Sequence, residues 1–124
     1  MSQPGRQIAI VDDDPGVLKA LARLLSACSF HPKTYPSARL FLQSLSDDRP
    51  DCLVLDLQMP EMTGLELQNE LTRSGIRIPT VVITAHDDRG IRQQCQSAGA
   101  VDFLCKPLNQ QRLIAAINNA IRAP

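Results

Sequence analysis

The feature that most constrains this chain is a series of short, β-branched-rich apolar runs, each followed by an amphipathic stretch. The clear runs are Ile8-Ala9-Ile10-Val11, Cys52-Leu53-Val54-Leu55 and Val81-Val82-Ile83, with a weaker one over 101–104 and a faint one near His31–Tyr35. Continuous runs of this length describe strands covered on both faces. The stretches between them carry helix start signals. Asp14-Pro15 offers an N-cap and a first-turn proline before Leu18, Leu21, Leu25 and Cys28. Ser37 precedes Ala38, Phe41, Leu42 and Leu45, and Thr63 with Glu66 makes a capping box ahead of Leu67 and Leu71. Asp87 or Asp88 opens a helix through Ile91, Cys95 and Ala98 that Gly99 ends. Asn109 opens the last helix, with Leu113, Ile117 and Ile121 on one face. Strand alternating with helix requires right-handed crossovers, hence a parallel sheet with helices on both sides. The expected fold is α/β, a doubly wound five-stranded parallel sheet, (βα)5, with strand order 2-1-3-4-5.

Length and composition agree with one such domain, expected to span residues 1–124 with 1–6 flexible. Thirteen basic residues balance thirteen acidic ones, and aromatics make up only 3%. Neither a basic nucleic-acid surface nor a stacking platform for bases is supplied, so no direct nucleic-acid binding is expected. The four cysteines (Cys28, Cys52, Cys95, Cys105) form no CxxC pair and, with two His, give no zinc-ligand spacing. Three of them sit in apolar or helical patterns, where a buried, reduced thiol is expected. No apolar run approaches the roughly 20 residues of a membrane span. A reducing, cytoplasmic location follows as the expectation.

The ends of the apolar runs carry the chemistry. The first run ends in Asp12-Asp13, the third strand in Asp56, the fourth in Thr84 and the fifth in Lys106. Ligands of open parallel sheets bind beyond the carboxyl ends of the strands, and strands 1, 3, 4 and 5 are neighbours in the expected order. These residues are therefore expected to share one pocket. Two carboxylates about 4 Å apart repel by roughly 4 kcal/mol at an effective dielectric near 20. Three carboxylates against one Lys leave excess negative charge, so either a proton or a cation belongs there. An all-oxygen cluster with few protein ligands suits Mg²⁺. A carboxylate nucleophile beside such a cation, a hydroxyl and an ammonium is a phosphoryl-transfer constellation. Taken singly, each residue has a plainer reading as a cap or turn residue, and Asp14 is expected to be such a cap.

These motifs resemble the receiver domains of two-component response regulators, which share the flavodoxin-like and chemotaxis-receiver-like topology. The resemblance runs from Gln7 to about Arg122 and rests on Ile10-Val11-Asp12-Asp13-Asp14, Asp56-Leu57-Gln58-Met59-Pro60 with Gly64, Ile83-Thr84-Ala85, Gly99-Ala100-Val101-Asp102-Phe103 and Lys106-Pro107. The pattern looks most like receivers of nitrogen-fixation and nitrate-type regulators. It implies Asp56 as phosphoacceptor. Asp12, Asp13, Asp56 and the Gln58 backbone carbonyl would be ligands of Mg²⁺ (or Mn²⁺), with Thr84 and Lys106 on the phosphoryl oxygens. The implied donor is the phosphohistidine of a sensor histidine kinase or a histidine phosphotransfer protein. The chain assists its own phosphorylation and dephosphorylation but is not otherwise an enzyme.

In the family, an aromatic three residues before the Lys turns inward when the Thr moves; Phe103 holds that place, and a plain core aromatic is an equally good reading. Gln58 and His86 border the path of attacking water and are candidate modulators of hydrolysis rate, or simply exposed loop residues. Arg89, Arg92, Asp102 and Arg112 fall on the surface of the fourth helix, fifth strand and fifth helix. There they either support a phosphorylation-dependent homodimer or form a solvated face. A haloacid-dehalogenase-like phosphatase requires an acid two residues after the nucleophile, where Gln58 stands. A binding module that has lost phosphorylation gains no support, because all five pocket positions are filled.

Overall fold

The computed structural model describes residues 5–46, 48–86 and 88–122, so most of the expected flexible lead-in and Asp87 lie outside the described residues. The chain runs β1 (Gln7–Val11), α1 (Pro15–Ala27), β2 (His31–Tyr35), α2 (Ala38–Ser44), β3 (Cys52–Asp56), α3 (Gly64–Arg73), β4 (Thr80–Thr84), α4 (Arg89–Ser97), β5 (Ala100–Cys105) and α5 (Gln110–Arg122). All strand pairings are parallel, in the order β2-β1-β3-β4-β5.

The strands differ as their places demand. β3 and β4 are buried along their whole length and β1 nearly so, which is why their sequences are apolar without alternation. β2 and β5 are the edges and are half exposed, which explains their weak sequence signals. One core layer packs α1 and α5 against the sheet through Ile8, Ile10, Leu21, Leu25, Leu113 and Ile117. The opposite layer packs α2 and α3 through Val11, Phe41, Leu53, Leu55, Leu67 and Leu71. A smaller cluster, Leu57, Val82, Cys95 and Phe103, lies under α4.

The expected caps form. Asp14 accepts from the N–H groups of Gly16 and Val17, Ser37 from Leu40, and Asp88 from Ile91. Thr63 and Glu66 exchange both bonds of the capping box. Asn109 accepts from Arg112 at 3.0 Å, and Gly99 closes α4 at φ +106°. One expectation on the helical faces fails. Cys28 is the C-cap of α1 and is exposed, because the helix ends before that position can turn inward. Cys52 and Cys95 are buried and Cys105 is half-buried. Burial pushes the Cys52 thiol up to about 12 and raises Cys95 as well, so both are held as neutral thiols. Among the described residues, no helix is long and apolar enough to cross a membrane.

Candidate functional site

The carboxyl ends of β1, β3, β4 and β5 bring the expected residues to one end of the sheet. Asp12, just beyond β1, is fully buried, while Asp13 beside it is exposed. Asp56 is the last residue of β3 and 4% exposed. Carboxylate oxygens of Asp12, Asp13 and Asp56 lie within 4.8 Å of one another. Lys106 Nζ reaches across from the end of β5 to Asp12 Oδ2 at 3.1 Å and Asp56 Oδ1 at 3.6 Å. The other oxygen of Asp12 accepts the backbone N–H of Asp14 at 2.9 Å, so Asp12 is satisfied on both sides.

Asp56 carries the electrostatic load. Burial and the neighbouring charge of Asp12 push its carboxyl up from 3.8 to about 6, against the pull of Lys106 and a backbone N–H bond from Gln58. Burial draws Lys106 down. The hydrogen bond to Asp12 and the charges of Asp56 and Asp12 outweigh that and hold it above its usual value. Both groups are shifted upward, a buried acid whose charge is disfavoured facing an ammonium whose charge is favoured, a pattern that is common at functional sites.

Backbone geometry fixes Asp56 in place. Leu57 N–H donates to the Ile83 carbonyl at 3.1 Å, and Gly64 N–H donates to the Leu57 carbonyl at 2.9 Å. A side chain at Gly64 would stand inside contact of the Asp56 carbonyl and 2.9 Å from Leu57 Cα, so the start of α3 rests directly on the end of β3. The sequence motif included Gly64, but only the fold shows what the missing side chain makes room for.

Thr84 ends β4, is 1% exposed, and its Oγ1 accepts the N–H of His86 at 3.1 Å. Its carbonyl accepts the N–H of Lys106 at 2.7 Å, tying the ends of β4 and β5 together. The side chains of Gln58 and His86 are exposed at the mouth of this end. Phe103 is buried on β5 against Leu57, Val82 and Cys95. The Arg92 guanidinium stands 5.0 Å above its ring, a pairing the sequence pattern did not reveal. Arg92, Asp102 and Arg112 also line a groove of about 620 Å³ along α4, β5 and α5, and Arg89 lies exposed at the start of α4.

Comparison with known proteins agrees with this geometry. Residues 8–118 match the response regulator receiver domain. The chain belongs to the response regulator receiver family. Among its relatives, the response regulator protein TodT of Pseudomonas putida is 38% identical over 98% of this chain and 54% of its own length. The transcriptional regulatory protein FixJ of Rhizobium meliloti is 42% identical over 91% of this chain and 55% of its own. The crystal structure of FixJ-N superposes with a TM-score of 0.89 at 40% identity, covering 100% of this chain and 98% of that one. This receiver thus spans about half the length of the curated relatives it matches. Phosphorylation-controlled signalling is the general function of the family, whose members are regulators that generally bind Mg²⁺ at an acidic pocket.

Proposed function

We propose that this chain is a single receiver unit, residues 1–124, that takes a phosphoryl group on Asp56 and signals through the surface of α4, β5 and α5. The observation that carries the reading is the pocket itself. Three carboxylates lie within 4.8 Å, and the one raised to about 6 is partnered by Lys106. At neutral pH that carboxyl is still largely ionised and can act as a nucleophile.

The donor set is oxygen only and has an excess of negative charge, which fits a hard divalent cation such as Mg²⁺ or Mn²⁺. Asp12, Asp13, Asp56 and the Gln58 carbonyl would hold it. Bound there, it neutralises charge on the phosphoryl oxygens. The chain's own residues do the rest. An Asp56 oxygen attacks phosphorus of a donor phosphohistidine; the O–P bond forms as the N–P bond breaks, and the imidazole leaves. Lys106, already 3.6 Å from Asp56, pairs with the incoming charge. The Thr84 hydroxyl donates a hydrogen bond to a phosphoryl oxygen and, in moving toward it, gives up the N–H it accepts from His86. Water later hydrolyses the acyl phosphate, at a rate that Gln58 and His86 border and can tune.

The partners this reading implies are a sensor histidine kinase or histidine phosphotransfer protein, in the cytoplasm. A second copy docks along the α4–β5–α5 groove once Asp56 is modified. Intact-mass analysis after incubation with a small-molecule phosphodonor tests the central step. One hydrolysable phosphoryl adduct is expected with Mg²⁺ and none in Asp56→Asn; folded protein without an adduct at ample donor overturns the reading. An unchanged elution volume on phosphorylation removes the dimer.

A further inference from the structure

Helix α4 has an unusual attachment. Its sequence, Arg-Gly-Ile-Arg-Gln-Gln-Cys-Gln-Ser, contains one residue that is buried, Cys95. Ile91, the other apolar side chain of the helix, is 38% exposed. The neighbouring helix α3 contributes a bond from Gln68 Nε2 to the Cys95 carbonyl at 3.4 Å, long for an amide bond. Cys95 packs with Leu57, Val82 and Phe103, and a second side chain of the helix reaches the same ring. The Arg92 guanidinium stands over the ring of Phe103, on the fifth strand, at 5.0 Å. Phe103 itself is fixed from below by Leu57, Val82 and Cys95.

We infer that Arg92 is a positioning residue: by clasping the Phe103 ring it seats α4 on the sheet, and it sets how far α4 moves when Thr84 is engaged. The path from the pocket to the helix is short. Thr84 Oγ1 holds the His86 N–H, and Asp88, two residues on, caps α4. Withdrawing Thr84 from His86 frees the loop that leads into the helix. The Arg92–Phe103 contact lies beyond that loop, within the helix, and with the packing of Cys95 it would hold the freed helix to the sheet. Phe103 has no hydroxyl, so its ring can be held only by packing and by its π face; the cation supplies the second. Even the lower range of cation–π strengths is enough to shift a local equilibrium by about two- to fivefold.

The second half of this inference rests on the proposed phosphorylation of Asp56; the clasp itself does not, and the test separates them. The chain has three Phe, so 4-fluorophenylalanine labelling yields three ¹⁹F resonances, with that of Phe103 identified by its loss in Phe103→Leu. In the resting protein, Arg92→Gln is expected to shift the Phe103 resonance. It should also speed amide exchange across Arg89–Ser97 about two- to fivefold, leaving α1, α3 and α5 unchanged. Arg92→Lys, which keeps the cation, is expected to restore part of both effects. In a Phe103→Leu background Arg92→Gln should add nothing further. An unmoved resonance with unchanged α4 exchange, or the same effect in both backgrounds, overturns the clasp. With phosphodonor, Arg92→Gln should still gain the adduct by mass while its α4 exchange rises further than in the parent. If the parent gains no adduct, the phosphorylation reading fails and the resting-state result stands. If the adduct forms and α4 responds equally in both, Arg92 has no part in the output.

Discussion

Helices α3 and α4 each follow a strand that ends in the site, Asp56 for one and Thr84 for the other, yet they are held by different means. α3 buries Gly64, Leu67, Gln68 and Leu71, opens on a two-way capping box, and presses its first residue against the backbone of Asp56. α4, one residue shorter, buries Cys95 alone. Among the described residues its attachments include the Asp88 cap, the long bond from Gln68, the packing of Cys95 and the Arg92 cation over the Phe103 ring. The helix after Asp56 is therefore built into the core, whereas the helix after Thr84 buries much less of itself. The proposed function would use both: a nucleophile that stays where it is and a surface whose position costs little to change.

The contrast can be broken most sharply by deleting core side chains. Leu67→Ala in α3 should cost about 2–5 kcal/mol in chemical denaturation, whereas Ile91→Ala in α4, at a half-exposed position, should stay within about 1 kcal/mol. Equal losses would dissolve the distinction between the two helices. Gly64→Ala comes next, at about 1–3 kcal/mol, because the added methyl meets backbone that cannot yield without moving Asp56. Its phosphoryl adduct should also form more slowly, which a mass time course would show.

The site's own electrostatics give a change of opposite sign. Asp56 is raised from 3.8 to about 6 in the folded protein, so it favours folding fully below about pH 4, and that contribution is lost as pH rises through about 6. At pH 7 the ionised acid is a net cost that function retains. Asp56→Asn is accordingly expected to stabilise the protein by about 1–3 kcal/mol at pH 7, with the gain shrinking toward zero below pH 4. Denaturation midpoints of both proteins at three pH values would check it; a loss of stability at pH 7 would show that the bond to Lys106 outweighs desolvation. The smallest effects come from the caps. Thr63→Ala and Asp88→Ala should each cost about 1 kcal/mol. The first should register in global unfolding and the second mainly as faster amide exchange within α4.

Nearly the whole architecture was legible in the sequence because each element's signal is local. Strand boundaries followed the apolar runs to within a residue, and Asp14, Ser37, Thr63, Asp88 and Asn109 all cap as their spacing indicated. β2 was faint because an edge strand containing Pro32 and Lys33 is exposed along much of its length and needs no apolar run. Cys28 misled because helical spacing continues on paper past the point where the helix stops. The pocket residues were legible as strand ends once the strand order was granted. What periodicity cannot carry is pairing between elements. Arg92 read as one of several surface charges, although its partner Phe103 lies on the adjacent strand. Gln68, which no sequence pattern singled out, is 2% exposed and bonded to the Cys95 carbonyl.

The bond from Lys106 to Asp12 spans 94 residues of chain. A pocket closed by so long a chord has no precursor in any shorter piece of the molecule. During synthesis Asp12, Asp13 and Asp56 emerge first, and the Lys106 that pairs with two of them follows only with the fifth strand. Folding of so non-local a site is governed by loop closure rather than by local preference. A chain truncated before β5 would keep its acceptor carboxylate and lose the charge that balances it. Under the proposed function, competence to be phosphorylated would thus be withheld until the fifth strand is in place, and the modification would report on a finished fold.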